Sequence, residues 1–268
     1  MEIIGSILVR NEDRFVERAV RNVAGFCDRI LVSDNGSTDG TVAILETLAR
    51  DYRHLEWGRI DDTRMSQEIL RPFMGQACWV FGVDGDEVYD PVGLERMKRR
   101  LQAGEFDRDW VLFGNVLNCT RVDPAAGKAW GYLAPPCRSM TKLYNFSAIA
   151  SWEGCGHRLS GGTPVFRPGF HAGLRRGLLD SVSWEDADFR CLHTCFTWRS
   201  SADTQRLDGG TSRPNITERQ TQTLLSRLLH WLRTGRRRTS VSPWKLEKYA
   251  RGPLVEKDVR VFFPEERP

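Results

Sequence analysis

Several things are missing from this chain, and each absence narrows what it can be. In 268 residues no apolar run is long enough to cross a membrane, and the opening Met1-Glu2-Ile3-Ile4-Gly5-Ser6 lacks the basic start of a secretory leader. Both absences point to a cytoplasmic protein. The seven cysteines have no framework spacing, and an odd, scattered set fits reduced thiols better than disulfides. Lysine is scarce, six of 39 basic residues, so arginine carries the positive charge, a bias attributed first to the base composition of the gene. The net charge of +4 is mild and permits an anionic substrate or membrane surface without requiring one. The one basic cluster, Arg236-Arg237-Arg238, is short and sits in no recognition motif, which weighs against nucleic acid. There is no internal repeat, no long low-complexity segment, and no Gly-rich basic loop after the first strand, so a nucleotidyltransferase is disfavoured. What remains is ordinary for one large α/β domain, or one domain with an appended piece: 40% hydrophobic and 28% charged residues.

The pattern along the first half alternates. Ile3 to Val9 reads as a strand, and Asn11 as the N-cap of a helix with Glu12 and Asp13 in its positive first turn. Phe15, Val16, Ala19, Val20 and Val23 recur at helical spacing. Strands are expected at Arg29–Ser33, Leu55–Ile60 and Trp79–Val83, with helices at Thr41–Tyr52, Thr63–Met74 and Pro91–Leu101. This is the pattern of a doubly wound, mostly parallel sheet, in which ligands sit beyond the carboxyl ends of the strands. Arg10–Glu12, Asp34–Asp39, Asp61–Arg64 and Asp84–Glu87 therefore surround one crevice. After Asp109, strands at Trp110–Cys119, Lys128–Leu133, Thr141–Phe146 and Phe189–Trp198 predict a mixed-sheet half. Thr217-x-x-Gln220 is a capping box opening a helix with Leu224, Leu225, Leu228, Leu229 and Leu232 on one face. Ending in Arg236–Arg238, that helix either lies on an anionic membrane or packs on the domain itself. The expected division is a domain over 1–210, with halves at 1–105 and 106–210, and a helical extension over 211–268.

The stretch Trp79 to Asp90 carries the chemistry. A buried strand runs into Asp84, Gly85, Asp86 and Glu87. Residues i and i+2 of an extended segment face one way, so Asp84 and Asp86 can converge on a hard divalent cation, Mg²⁺ or Mn²⁺, while Gly85 allows close backbone approach. Such an ion would neutralise a departing diphosphate. The plainer alternative is a solvated acidic turn.

Three motifs in order, Arg10-Asn11-Glu12 after the first strand, Asp34-Asn35-Gly36-Ser37-Thr38-Asp39-Gly40 after the second, and Asp84-Gly85-Asp86-Glu87 after the fourth, closely resemble the family 2 glycosyltransferases of the GT-A fold. The resemblance implies an inverting, metal-dependent transferase of the hexosyl-transferring kind. Its donor would be a nucleotide-sugar, a UDP-sugar first, and its acceptor a small molecule or a lipid-linked saccharide. It assigns Arg10, Glu12, Asp34 and Arg64 to the nucleotide, Asp84 to the ribose or the metal, and Asp86 to the metal. Downstream, Lys142-Leu143-Tyr144, Trp152-Glu153-Gly154 and His157 are similar to a segment of one soluble branch, but Arg158 stands where that branch has a glutamate. The general base is therefore left among His157, Glu153 and Glu185 with Asp186. Pro168 to Gly173 resembles a later segment whose histidine completes the metal site, which makes His171 the third ligand.

Other groupings have weaker chemistry. Cys191, His193 and Cys195 alternate along an expected strand, with Cys155 and His157 also two apart, and either bind zinc or form a packed face. Trp130, Trp152 and Trp184 are candidates to line an acceptor site, and Arg199-Ser200-Ser201 either meets a diphosphate or makes a surface turn. Beside the transferase stand a catalytically impaired nucleotide-sugar binding protein, suggested by Arg158, a sugar nucleotidyltransferase, and a zinc-stapled interaction protein. The transferase, peripheral to the inner face of a membrane if the basic helix binds lipid, is the reading the sequence supports best.

Overall fold

The computed structural model describes residues 1–139, 142–202 and 243–264. The first half alternates as expected: β1 (Glu2–Val9), α1 (Val16–Ala24), β2 (Arg29–Asp34), α2 (Thr41–Asp51), β3 (Leu55–Arg59), α3 (Met65–Glu68) and β4 (Cys78–Asp84). Strands β4, β1, β2 and β3 lie side by side and parallel. Both faces are covered, so Ile3, Ile7, Val9, Ile30, Phe81 and Val83 are all buried. The stripe Val16, Ala19, Val20 and Val23 seats α1 on this core, each valine contributing about 1.5–3 kcal/mol by burial.

Two expected helix boundaries are corrected. Asn11 is not an N-cap: its φ is 53°, and its side-chain oxygen accepts from the Thr38 amide. The helix starts at Val16 because Glu12 and Asp13 are drawn sideways, the Glu12 amide onto Thr41 Oγ1 and the Asp13 carboxylate onto Gly40 and Ser201. The helix expected over Thr63–Met74 shrinks to α3 and a 3₁₀ turn at Arg71–Phe73, because Pro72 offers no amide and disfavours helical geometry before it.

Next come β5 (Glu87–Tyr89), α4 (Pro91–Gln102, capped by the Asp90 side chain on the Gly93 amide), β6 (Val111–Phe113), β7 (Asn115–Asp123), β8 (Lys128–Ala134) and β9 (Lys142–Asn145). A hairpin of β10 (Ile149–His157) and β11 (Ser160–Phe166), then β12 (Arg175–Gly177), β13 (Arg190–His193), α5 (Pro243–Tyr249) and β14 (Leu254–Asp258) complete the described chain. The strand expected at Trp110–Cys119 is two strands in different sheets. At Gly114 the chain crosses between them against Phe189, where any Cβ would collide. The strand expected to Trp198 stops at His193, because the Thr194 amide and hydroxyl turn to the Asp86 carbonyl, 2.9 and 3.1 Å away.

One sheet runs β12-β6-β9-β4-β1-β2-β3 and a second runs β14-β8-β7-β13-β5. The expected mostly parallel α/β sheet with a mixed second half is thus the architecture observed. The loop Asp84–Asp86 joins the two sheets, since β4 belongs to the first and β5 to the second. The amphipathic helix from Thr217 and the cluster Arg236–Arg238 lie outside the described residues. The described tail is not wholly helical, for β14 pairs with β8. No helix among the described residues is long and apolar enough to cross a membrane.

Candidate active site

The acidic loop is held from below. Glu87 is buried, and its Oε2 accepts from the Asp84 amide at 3.1 Å and from the Tyr89 hydroxyl at 3.0 Å. Burial, with the Asp84 charge beside it, pushes the Glu87 carboxyl up to about 8, against the opposing pull of Arg158. Gly85 lets the loop touch the end of β1: a Cβ there would run into the Glu12 carboxylate and Val9. The chain's first and third motifs therefore meet at one glycine.

Each aspartate holds an arginine. Arg158, at the β10–β11 turn with φ 39°, donates its amide to Ser66 Oγ at 2.7 Å and pairs its guanidinium with Asp84. The residue that replaces the expected glutamate is thus a cation on the acidic loop. Arg199 donates Nη1 to Asp86 Oδ2 at 2.6 Å and to Glu12 Oε1 at 3.2 Å. Burial alone would raise Asp86, but the Arg199 guanidinium, with Lys245 behind it, holds it below the ordinary carboxylate value. Arg199-Ser200-Ser201 is no surface turn. Ser200 Oγ donates to Asp39 and Ser201 Oγ to Asp13, so with Glu12 and Asp86 on Arg199 four acids of the first half anchor the segment. Burial opposes ionisation of Asp39, and hydrogen bonds from Ser200 and Thr41 overcome it and lower its pKa.

The histidine brought to the acidic pair is His193, not His171. His193 pairs with Glu87 across β13 and β5, which sets its Nε2 3.9 Å from Asp86 Oδ2. Asn118 Nδ2 donates to the Tyr132 carbonyl, so Asn118 Oδ1 is the acceptor facing His193 Nδ1 at 2.9 Å. The ring proton therefore sits on Nδ1 and the Nε2 lone pair faces Asp86. Burial keeps the ring neutral by lowering its pKa, with Asp86 and Asp84 opposing. A lone pair and a carboxylate oxygen on facing side chains are donor types that a divalent cation would use, and it would take from Arg199 the same Asp86 oxygen that Arg199 now holds. The Asn118 oxygen supplies the supporting hydrogen bond that fixes a ligating imidazole. Asp86 and His193 would thus be the residues to hold the expected ion. His171 is exposed near β12, its Nδ1 accepting from the Gly173 amide at 3.1 Å. Among the described residues no three His, Cys, Asp or Glu side chains group as metal ligands, so neither an Asp84–Asp86–His171 set nor a zinc cluster is formed.

The nucleotide candidates line the crevice unevenly. Asp34 is fully buried, accepting from the Ser37 amide at 3.1 Å and from Arg59 Nε at 3.3 Å, so it shapes its loop and orients an exposed Arg59. Arg10 Nε and Asn35 Nδ2 are buried at the ends of β1 and β2 with no hydrogen-bond acceptor among the described residues. Arg64 is exposed and paired with Asp62. Of the candidate bases only His157 is beside Asp84. Its pKa is lowered by burial first, then by Arg158, Lys142 and Lys248, against Asp84. Glu153 is exposed and paired with Arg71 at 3.2 Å, and Glu185 is exposed and paired with Lys257 of β14 at 2.6 Å. Each is held elsewhere by that partner. Two of the tryptophans expected to line an acceptor site are core instead: Trp152 packs on Trp110 and Tyr144, and Trp184 stacks on Phe262. All seven cysteines are free and buried, as the reduced-thiol reading requires.

Comparison with known proteins places the chain in a family. Residues 6–182 match the model of glycosyl transferase family 2. An uncharacterized glycosyltransferase of Rickettsia bellii is 30% identical over 153 residues, 56% of this chain and 49% of that protein. One from Rickettsia prowazekii is 26% identical over 148 residues, 54% and 47% of the two chains. The chain spans about half the length of the curated relatives it matches. Among solved structures, glucosyl-3-phosphoglycerate synthase from Mycobacterium tuberculosis, with Mn²⁺, UDP and glucosyl-3-phosphoglycerate, aligns at TM-score 0.37 and 15% identity, over 59% of this chain and 61% of that one. A mannosyltransferase from Pyrobaculum calidifontis with GDP-Man and Mn²⁺ aligns at 0.34 and 15%, over 54% and 44%. These structural likenesses are too slight to bear on donor or acceptor. His193 and Arg199 lie beyond the matched segment.

Proposed function

The chain belongs to glycosyl transferase family 2, a family of glycosyltransferases, and from that premise we propose that its crevice binds a nucleotide-sugar, a UDP-sugar first, and transfers the sugar with inversion to a small-molecule or lipid-linked saccharide acceptor. The observation that carries this reading is the meeting of Asp86, His193, Arg199 and the Asp84–Arg158 pair at the joint between the two sheets, beside the loops after β1 and β2.

On this reading Arg10, Glu12, Asp34 with Arg59, and Arg64 frame the nucleotide, and residues 1–210 are the catalytic domain. Asp86 and His193 would hold Mn²⁺ or Mg²⁺, which when bound neutralises charge on the departing diphosphate. The chain's own contribution is a pair of guanidinium groups. Arg158 and Arg199 each keep a buried Nε without an acceptor among the described residues, and phosphate oxygens match such donors. His157, neutral and beside Asp84, takes the proton from the acceptor hydroxyl as that oxygen attacks the anomeric carbon and the diphosphate leaves from the opposite side.

The test follows release of nucleoside diphosphate from a panel of UDP-, GDP- and TDP-sugars with Mg²⁺ or Mn²⁺ and with chelator. One sugar nucleotide should be consumed, with loss of turnover in Asp86→Asn and His193→Ala. Consumption of none, or turnover in both variants equal to the parent's, would contradict the assignment.

A further inference from the structure

Lys142 opens β9 directly opposite Gly82 of β4, so it stands beside the end of the strand that carries Asp84. It is largely withdrawn from solvent, and among the described residues its ammonium has no ion pair or hydrogen bond. Buried ammonium groups are ordinarily paired, because desolvating an uncompensated charge is costly. The charges around this one have the wrong sign: Arg138, Arg158 and Lys248 all disfavour its protonation after burial itself, and only Asp84 supports it. Asp84 is already engaged by Arg158. Arg138 and Lys248 are also held next to each other. The Arg138 amide donates to the Lys248 carbonyl at 3.2 Å, and the neighbouring Arg251 amide donates to Cys137 Sγ at 3.1 Å, which ties the 135–139 loop to the end of α5.

We infer that Arg138, Lys142 and Lys248 form a subsite for a phosphate group carried by the acceptor, an inference that rests on the transferase reading and narrows its substrate class. Position separates this subsite from the donor's nucleoside end. The nucleotide loops follow β1 and β2, whereas β9 flanks β4 on the opposite side. Charge selects phosphate over a single carboxylate, since Arg138 and Lys142 alone would leave a carboxylate overcompensated, while a phosphate monoester carries close to two negative charges. His157 feels the same Lys142 and Lys248, so an acceptor anchored by its phosphate would present a nearby hydroxyl to the candidate base.

The test titrates inorganic phosphate, at constant ionic strength, into the protein alone and into protein saturated with its nucleoside diphosphate and Mg²⁺, reading the melting temperature. Phosphate should raise the melting temperature in both states. Lys142→Met should lose the phosphate increment and keep the nucleotide increment, Lys142→Arg should keep both, and Arg138→Ala, at an exposed position, should weaken phosphate binding about tenfold, a 1.4 kcal/mol loss. A phosphate increment that vanishes once nucleotide is bound would assign the cations to the donor and overturn the inference. So would an increment unchanged in Lys142→Met, or no response to phosphate beside an intact response to nucleotide. A response to phosphate with none to any nucleotide would overturn both this inference and the transferase reading.

Discussion

Asp86 and Arg199 form a buried ion pair at 2.6 Å, and the same guanidinium reaches Glu12 at 3.2 Å. One side chain from beyond β13 thereby closes the acidic loop onto the end of β1. Removing one partner of such a pair leaves the others as uncompensated buried charge. Arg199→Ala should lower the unfolding free energy by about 3 kcal/mol, read by urea denaturation. The double variant with Asp86→Ala should lose less than the sum of the two single losses. Additive losses would mean that the pair is not coupled.

Gly85 is where the first and third motifs touch. Gly85→Ala forces a methyl against the Glu12 carboxylate and Val9. The expected outcome is a loss of about 1–3 kcal/mol in stability together with weakened nucleotide binding. A variant that melts and binds like the parent would show that the two loops move apart freely.

The candidate base makes a pH prediction. Burial and the cations Arg158, Lys142 and Lys248 lower the His157 pKa, and Asp84 opposes them without reversing the direction. A base with a lowered pKa stays neutral further into acid, so the acid limb of turnover should fall below the ordinary histidine value of about 6.5. His157→Gln should slow transfer by roughly 10²–10⁴ and abolish that limb. A limb that persists in the variant would move the base elsewhere.

Much of the parallel half was legible because its signals are local: β-branched runs, helical stripes, and turn residues after each strand. The acidic loop was legible for the same reason. What decides the site is not local. His193 reaches Asp86 because β13 is inserted between β7 and β5, a register that no spacing in sequence announces. His171 has the better motif but sits in the loop between β11 and β12. The β10–β11 hairpin escaped notice because Gly154, Gly156, Gly161 and Gly162 interrupt its alternation, and with it went the turn that delivers Arg158 to Asp84. Glu153 and Glu185 looked available because their partners, Arg71 and Lys257, are 82 and 72 residues away along the chain.

Lys142 gives a stability signature. Its folded pKa is lowered from 10.5 to about 8, by burial first and then by Arg138, Arg158 and Lys248. The folded state therefore loses this proton before the unfolded state does, and between those two values the unfolded chain binds more protons. Lys142 should make stability rise with pH through that window, its unfavourable charge being fully present below about 8. Denaturation of Lys142→Met across the window should lack this rise and show a more stable protein at neutral pH. A parallel pH profile for parent and variant would contradict the burial of an unpaired ammonium.

The most direct test of the site is thermal stability with UDP, GDP and TDP, each with Mn²⁺ or with chelator, on the parent, Asp86→Ala, His193→Ala and His171→Ala. A ligand at a hundred times its dissociation constant stabilises by about 2.7 kcal/mol, readily seen as a melting shift. The expected result is a metal-dependent shift for one nucleotide, lost in Asp86→Ala and His193→Ala and kept in His171→Ala. A shift lost in His171→Ala but retained in His193→Ala, or one indifferent to chelator, would contradict the Asp86–His193 site.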